Sequence, residues 1–167
     1  MGAVRNHFFA GIALVLLVAA CSSPRATSSA AQVTSCINTG APHHAYVVVQ
    51  HLSGASLQRC VGFNSTMIDG QTLMDQSGLQ YGAHELGSGK AMCQVDNEPA
   101  QYSQCFPPKQ PYWALFVQQH GVWSSSPGGF TDAKLHDSEA LGWHYVPAAE
   151  SNPAPPPLAR TLPGAGA

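Results

Sequence analysis

Ala45-Tyr46-Val47-Val48-Val49-Gln50-His51 is a run of β-branched and aromatic residues, the side chains that pack best on a pleated sheet. Ser53-Gly54 follows this run and can supply a turn. Residues 56–63 then alternate, with Leu57 and Val61 on one face, which is the period of a half-buried strand. The two segments predict an antiparallel pair of strands.

Four further segments predict strands later in the chain. Residues 80–86 and 91–95 flank Gly87-Ser88-Gly89, so we expect a hairpin with a glycine-rich turn. Residues 112–117 are strongly apolar, and residues 141–146 alternate in polarity. These strands are expected to complete a sheet begun by the first pair.

One short helix is predicted between the two groups of strands. Asp69 can cap its first exposed amides. Ile68 and Leu73 stand at the two positions of a hydrophobic staple, and Gly78 supplies the left-handed residue that ends a helix. A helix of about two turns is too short to be stable alone, so it must pack on the sheet.

This order of elements predicts an α+β fold with a mixed or antiparallel sheet and one short helix. We expect the folded unit to span residues 35–147. Residues 148–167 contain five prolines among Ala and Gly, which predicts an open, disordered tail. Residues 21–34 are small and polar and predict a flexible tether.

The first twenty residues are typical of an export signal. Arg5 provides a positive start, and residues 8–20 form an apolar run shorter than the roughly twenty residues that span a bilayer. The run ends in Val18-Ala19-Ala20-Cys21, which resembles a bacterial lipobox. This pattern predicts a lipoprotein held on the outer side of the cell membrane by lipid on Cys21, the alternative being ordinary cleavage after Ala20.

Charge and cysteine content limit the partners and the compartment. The whole chain carries a formal charge of −2, and removal of Arg5 with the signal makes it more acidic, which argues against a nucleic-acid partner. Four cysteines remain after Cys21, an even number that predicts disulfides in an exported domain. Of the three possible connectivities, we predict Cys36–Cys60 and Cys93–Cys105. Cys36 is expected just before the first strand and Cys60 within the second, so antiparallel pairing of these strands would bring the two together.

Three segments resemble the transcobalamin-like C-terminal domain family. Residues 69–78 are similar to its helix, which opens on Asp-Gly and closes on Gly; residues 112–117 are similar to its Tyr-Trp strand. Residues 132–139, leading to Gly142-Trp143-His144-Tyr145, are similar to its final turn and strand. The resemblance covers roughly residues 44–147 and implies a β-grasp-like fold and a corrinoid-like ligand.

The sequence departs from that family in two turns. Residues 118–121 are Gln-Gln-His-Gly where the family usually has Asn-Gly, and residues 137–139 are Asp-Ser-Glu in place of an acidic glycine turn. The family's animal cobalamin carriers hold the corrin mainly with a helical barrel, for which this chain has no room. The resemblance therefore bears on the fold more than on cobalamin.

Aromatic residues are the best candidates for a ligand site. Tyr112, Trp113 and Trp123 belong to late segments that a β-grasp sheet would bring together, and aromatic faces suit a flat, partly apolar ligand. Trp113 can equally be a core residue, and Trp123 is expected at the edge of a loop. Seven histidines follow the signal, but no spacing places three on one face, so we predict no metal site.

No catalytic motif is present: the sequence lacks G-x-S-x-G, H-E-x-x-H and a phosphate-binding glycine loop. We therefore expect a non-catalytic binding module for a small ligand or for a partner protein that holds the ligand. The alternative is a structural or interaction lipoprotein of the cell envelope without a small ligand.

Replacement of Cys21 tests the predicted anchor. Cys21→Ser removes the sulfur that would carry the lipid, and stable anchoring takes more than one acyl chain. We expect the variant to leave the membrane fraction or to stay unprocessed. Membrane-bound wild-type protein with an unmodified Cys21 in mass spectrometry would contradict the prediction.

Overall fold

A computed structural model describes residues 32–157 of the chain, apart from residues 88 and 127. The predicted signal, Cys21 and most of the predicted tether lie outside the described residues, as do residues 158–167. Within the part of the chain described, no helix is both long enough and apolar enough to cross a membrane.

The described chain is mostly sheet with one α-helix, which confirms the predicted α+β class. Its elements in order are β1 (Gln32–Ile37), β2 (His43–Gln50), β3 (Ser56–Phe63), β4 (Ile68–Asp69), α1 (Gly70–Gln76), β5 (Tyr81–Leu86), β6 (Gly89–Val95), β7 (Tyr112–Gln119), β8 (Val122–Ser125), a 3-10 turn (Phe130–Asp132), β9 (Lys134–Leu135) and β10 (Ala140–Val146).

Six strands form one mixed sheet in the order β1-β3-β2-β10-β7-β8. The β2–β3 pair is antiparallel, as expected, whereas β2 and β10 pair in parallel at the centre. β7 runs antiparallel to β10 and to β8. The β5–β6 hairpin and the β4–β9 pair form two small separate sheets.

Several strands carry no signal that the sequence analysis could detect. β4 and β9 have two residues each and exist only because they pair with each other. β1 begins at Gln32, inside the segment predicted to be a tether, because its backbone pairs in parallel with β3. Such non-local pairing can order a segment whose own composition gives it no preference for a strand.

The helix forms as its flanking residues predict. Asp69 is extended, and its Oδ1 accepts a hydrogen bond of 2.8 Å from the Thr72 amide. Gly78 has φ of +71°, the left-handed conformation that follows the helix end. Ile68 and Leu73 are both buried in the main core, so the staple also attaches α1 to the sheet.

The main core lies between the large sheet and the elements that cover its first face. Alternate residues of the central strands point into it, with α1, β6 and the 3-10 turn on the other side; its largest members are Phe63, Leu73, Met74, Met92, Trp113, Phe130, Leu135, Leu141, Trp143 and Tyr145. Residues of opposite parity, such as Tyr46 and Val48, are buried on the second face.

Both predicted disulfides are present, Cys36–Cys60 and Cys93–Cys105. The reason given for the first was wrong. Cys36 does not precede the first strand; it lies in β1, directly opposite Cys60 of the parallel strand β3. The second bridge ties β6 to the long loop that leads to β7.

Residues 148–157 contain no helix or strand, yet they contact the sheet. The Tyr112 hydroxyl donates to the Glu150 carbonyl over 2.8 Å, and His144 Nδ1 lies 2.7 Å from the Ala154 carbonyl. Pro156 is buried. This part of the predicted tail therefore packs along the second face of the sheet, which an extended proline-rich chain can do without internal hydrogen bonds.

The helix cap gives a stability test that depends on pH. The hydrogen bond from the Thr72 amide lowers the pKa of Asp69, against an opposing effect of burial. The stabilisation should therefore be complete above the unfolded-state pKa of about 3.9 and be lost as pH falls through the folded-state pKa. We expect Asp69→Ala to lower the free energy of unfolding by about 1 kcal/mol at pH 7, measured by urea titration.

Asp69→Asn is the control, because an amide caps a helix about as well but does not titrate. This variant should keep most of the stability at pH 7 and lose less of it on acidification than the wild type. An unchanged urea midpoint for Asp69→Ala at pH 7 would show that the cap does not stabilise the fold.

Candidate functional site: an apolar cavity beside the Tyr112–Trp113 strand

A cavity of about 480 Å³ opens where the start of β7 meets the β5–β6 turn and the loop after β8. Two parts of the fold border this cavity. The β5–β6 hairpin forms a small sheet separate from the large one, so a gap can remain between them. Phe130 of the 3-10 turn and residues 125, 126, 128 and 129 close a second side of this gap.

Three buried aromatic residues form the floor of the cavity: Trp113, Phe130 and Trp143. Phe130 and Trp143 meet edge to face, with ring centroids 5.7 Å apart. Trp113 packs against Tyr145 at 4.8 Å, and its Nε1 donates to the Glu98 carbonyl over 3.0 Å. This floor belongs to the core and is rigid.

One polar atom of Trp143 lacks a hydrogen-bond partner among the described residues. Its Nε1 is buried and has no acceptor among the residues that the structure describes, a costly arrangement for a donor. The atom does not reach the surface of the cavity, so a bound ligand would not contact it without movement of its neighbours.

The accessible apolar walls come from other residues. Phe106 is 55% exposed and Leu86 is 51% exposed, and both stand at the mouth of the cavity. Tyr112 and Leu115 are half-buried and line the wall formed by β7. Single exposed apolar side chains are common on protein surfaces, but at the mouth of a cavity they are suited to an apolar ligand or partner.

Lys90 is the one charged residue among those described around the cavity. Its Nζ donates to Gln71 Oε1 over 3.0 Å, and Gln71 in turn donates to Asp75 and Tyr81. Burial, followed by the hydrogen bond to Asp75, raises the pKa of Tyr81 to about 12. Tyr81 therefore stays neutral at physiological pH, and the network holds the Lys90 ammonium group against α1.

Two of the three aromatic residues proposed as ligand contacts, Tyr112 and Trp113, line this cavity. Trp123 does not. The expectation of a loop position was wrong: Trp123 lies in β8 opposite Gln118, because β8 continues the hairpin from β7. It packs on the second face of the sheet, where its ring atoms would lie 2.7 Å from a Cβ at Gly142.

A second polar cluster joins the end of β2 to the turn after β6. His51 Nδ1 lies 2.7 Å from Glu98 Oε2, and His51 Nε2 lies 3.3 Å from Asp96 Oδ2. Burial, and then the charge of Glu98, raise the pKa of Tyr145 nearby. The imidazole is half-buried between two carboxylates, which fits a structural connection between loops.

One group of metal-ligand residue types occurs in the part of the chain described. The ligand atoms of His84, Cys93 and Cys105 lie within 4.8 Å of one another. Both sulfurs are joined in the Cys93–Cys105 disulfide, and a metal requires thiolates. While the bridge is intact, His84 is the one ligand that this group offers.

The acidic turn near β10 is held by local hydrogen bonds. Asp137 Oδ1 accepts from the His44 amide over 2.7 Å, and Glu139 Oε2 accepts from the His136 amide over 2.8 Å. These carboxylates satisfy backbone donors, so they shape the turn between β9 and β10.

Sequence analysis did not identify Leu86, Lys90 or Phe106. Leu86 and Lys90 flank a turn whose sequence indicates a hairpin connection and no binding role. Phe106 is a single aromatic residue after Cys105 in a polar loop. Their convergence depends on where the hairpin and the loop lie against β7, which no local pattern expresses.

Comparison with known proteins adds little to this description. No protein-family model and no curated protein matches the chain. One similar solved structure, from Ruminococcus gnavus ATCC 29149, is described as a "putative metal binding protein". It is 15% identical, with 63% of this chain and 97% of that chain covered and a TM-score of 0.45. A likeness at that level says nothing about what this chain binds.

The position of Trp123 leads to a test that separates the two faces of the sheet. Trp123→Ala removes packing from Gly142 and Pro156 and should lower the free energy of unfolding by about 1–3 kcal/mol, less than for a fully buried tryptophan. Ligand affinity at the cavity should change less than about twofold, because Trp123 does not line the cavity. A large loss of affinity in a folded Trp123→Ala variant would show that Trp123 contributes to the site.

Proposed function

We propose that this protein is a membrane-anchored, extracytoplasmic binding module that holds a small, partly apolar ligand in the cavity beside Tyr112 and Trp113. The observation that carries the proposal is an open cavity of about 480 Å³ with exposed Phe106 and Leu86 at its mouth and a rigid aromatic floor. Ligand pockets are commonly concave, mostly apolar and of about 300–1,000 Å³.

A binding role without catalysis fits the residues around the cavity. Among the described residues that line it there is no histidine, cysteine, aspartate or glutamate. Side chains of these types are the commonest general bases and the commonest groups that activate a nucleophile. We therefore propose that the ligand is captured and released unchanged.

The cavity favours a ligand smaller than a complete corrinoid. A corrin macrocycle with its axial nucleotide exceeds the volume of the cavity, so it could place only an edge inside. We propose a β-grasp-like fold on other grounds: the first long hairpin is followed by the helix, and the last strand returns parallel to β2 at the sheet centre. That arrangement supports the resemblance to the transcobalamin-like domains in fold without requiring their ligand.

The same apolar mouth could contact a partner protein of the envelope. The concave shape favours the small ligand, because a protein partner generally needs a larger and flatter apolar surface. Lipid on Cys21 and a short tether would hold the domain close to the membrane in either case.

A blocking substitution tests the cavity directly. Ser126 is half-buried, lines the cavity and donates weakly to the Gly128 carbonyl at 3.4 Å. In Ser126→Trp, the indole should fill the cavity. The probe is N-phenyl-1-naphthylamine, a neutral aromatic dye whose fluorescence rises in apolar sites, added to the mature chain 21–167 with Cys21→Ser.

We expect saturable binding by the unblocked protein and at least a tenfold weaker affinity, about 1.4 kcal/mol, in Ser126→Trp. Ser124→Trp is the matched control, because Ser124 is exposed and lies outside the cavity lining. No saturable binding, or equal losses in both variants, would contradict a ligand site at this cavity and favour the envelope adaptor.

A further inference from the structure

We propose that His84 and the cysteines of the Cys93–Cys105 disulfide form a site for a thiol-binding divalent cation such as Zn²⁺, which binds once the disulfide is reduced. The ligand atoms of the three residues lie within 4.8 Å of one another. Two thiolates and one imidazole are a ligand set that zinc takes, with the fourth position left to water. None of the three residues lines the cavity beside Tyr112, so this proposal does not rest on the function proposed for that cavity.

Strand pairing in the β5–β6 hairpin explains why the histidine lies beside the disulfide. His84 pairs with Ala91, which is buried in one small cluster with the two cysteines. Met92, between Ala91 and Cys93, belongs instead to the main core. Residues directly opposite in an antiparallel pair share a face, and diagonal neighbours on that face are within reach of long side chains. The group therefore lies on the face of the hairpin that is turned away from the main core.

The His84 imidazole is available to a metal. The residue is exposed, and among the described residues neither of its ring nitrogens has a hydrogen-bond partner. Its ring meets the Tyr102 ring edge to face, with centroids 5.9 Å apart. The Tyr102 hydroxyl fills the space that a side chain at Gly82 would need, so this tyrosine packs on β5 beside the histidine. A neutral imidazole binds a metal through such a free nitrogen.

A polar cavity of about 410 Å³ gives access to the cysteines. Both of them line it, as do Tyr102, Gln101 and Gln104, and no charged residue occurs in its described lining. A cavity of this size admits water, which is the fourth ligand that zinc needs here. The other disulfide differs, because Cys60 is fully buried and the bridge belongs to no such group of ligands in the described chain.

Reduction of the bridge supplies the two thiolates. A dithiol reductant attacks one sulfur, the S–S bond breaks and a mixed disulfide forms; the second thiol of the reductant then resolves it and leaves as a disulfide. Two electrons and two protons have passed from the reductant to Cys93 and Cys105. Zn²⁺ then displaces one proton from each thiol into solvent, while His84 binds as the neutral imidazole. The two negative charges of the thiolates balance the charge of the cation.

Hydrogen bonds other than the bridge attach the loop that carries Cys105. Gln94 Nε2 donates to the Pro99 carbonyl over 2.6 Å, and Trp113 Nε1 donates to the Glu98 carbonyl over 3.0 Å. These contacts remain when the S–S bond is cut. The sulfurs then have to separate only to roughly 3.8 Å, the spacing of two thiolates on a tetrahedral zinc ion with Zn–S bonds of about 2.3 Å.

Cobalt spectroscopy tests the site. The mature chain 21–167 with Cys21→Ser is reduced with dithiothreitol, separated from it without air and titrated with Co²⁺, whose absorption reports thiolate ligation and tetrahedral geometry. We expect one Co²⁺ per reduced chain, displaced by Zn²⁺, and no such binding by the oxidised chain. Zn²⁺ should also raise the thermal midpoint of the reduced chain, because a ligand that binds the folded form stabilises it.

Variants assign the ligands. His84→Ala should weaken Zn²⁺ binding by the reduced chain at least about tenfold, since even the loss of a residue that only orients a ligand costs that much. His136→Ala is the matched control, because it removes an exposed imidazole from outside the group, and it should keep the wild-type affinity. Replacing both Cys93 and Cys105 with Ser leaves two other thiols after reduction and should abolish Co²⁺ binding.

Three results would overturn the inference. Equal Zn²⁺ affinity in His84→Ala and the unsubstituted chain would show that the histidine is not a ligand. Tetrahedral Co²⁺ binding that survives in the double serine variant would place the metal at other thiols. A reduced chain that binds no Co²⁺, or that loses its circular dichroism signal and does not regain it with Zn²⁺, would show that the three ligands do not stay together without the bridge.

Discussion

The parallel pairing of β2 with β10 joins the beginning and the end of the folded segment at the centre of the large sheet. Its register runs from Tyr46 opposite Ala140 to Gln50 opposite His144. Both strands are buried on both faces, so each needs a covering layer on either side. A parallel pair requires a long crossover connection, and here everything from β3 to β9 serves as that connection. The helix, the hairpin and the loop around the cavity are therefore all held in place by this one pairing.

The two faces of the sheet are covered in different ways. On the second face, Gly142 leaves room for Trp123 and Pro156, whose atoms would lie within 2.8 Å of any Cβ there. Close packing of that kind leaves no space for a ligand at Gly142. On the first face, α1 packs near β2. The β5–β6 hairpin lies near β7, and the Cys93–Cys105 disulfide links it to the loop that precedes β7. The hairpin is not paired with the strands of the large sheet, and the cavity lies between the two.

The floor of the cavity belongs to the buried core, and one residue of its lining is hydrogen-bonded to the helix. Trp113, Phe130 and Trp143 fix its floor, so ligand binding would not have to order it. The hydrogen bonds of Gln71, a residue of α1, link the one charged residue of the described lining, Lys90, to the helix.

The local patterns in the sequence were sufficient for the long strands and the helix. Val47 to Val49, the Asp69 cap and Gly78 each express a preference that acts over a few residues, and such preferences survive in the fold. Tyr112 and Trp113 could be proposed as ligand contacts because they lie on a strand that the apolar run 112–117 predicts. The parallel order of β1 beside β3, the strand position of Trp123 and the convergence of Lys90, Leu86 and Phe106 had no such signal. They arise from contacts between segments distant in sequence, whose geometry is set by burial and backbone pairing after the chain has folded.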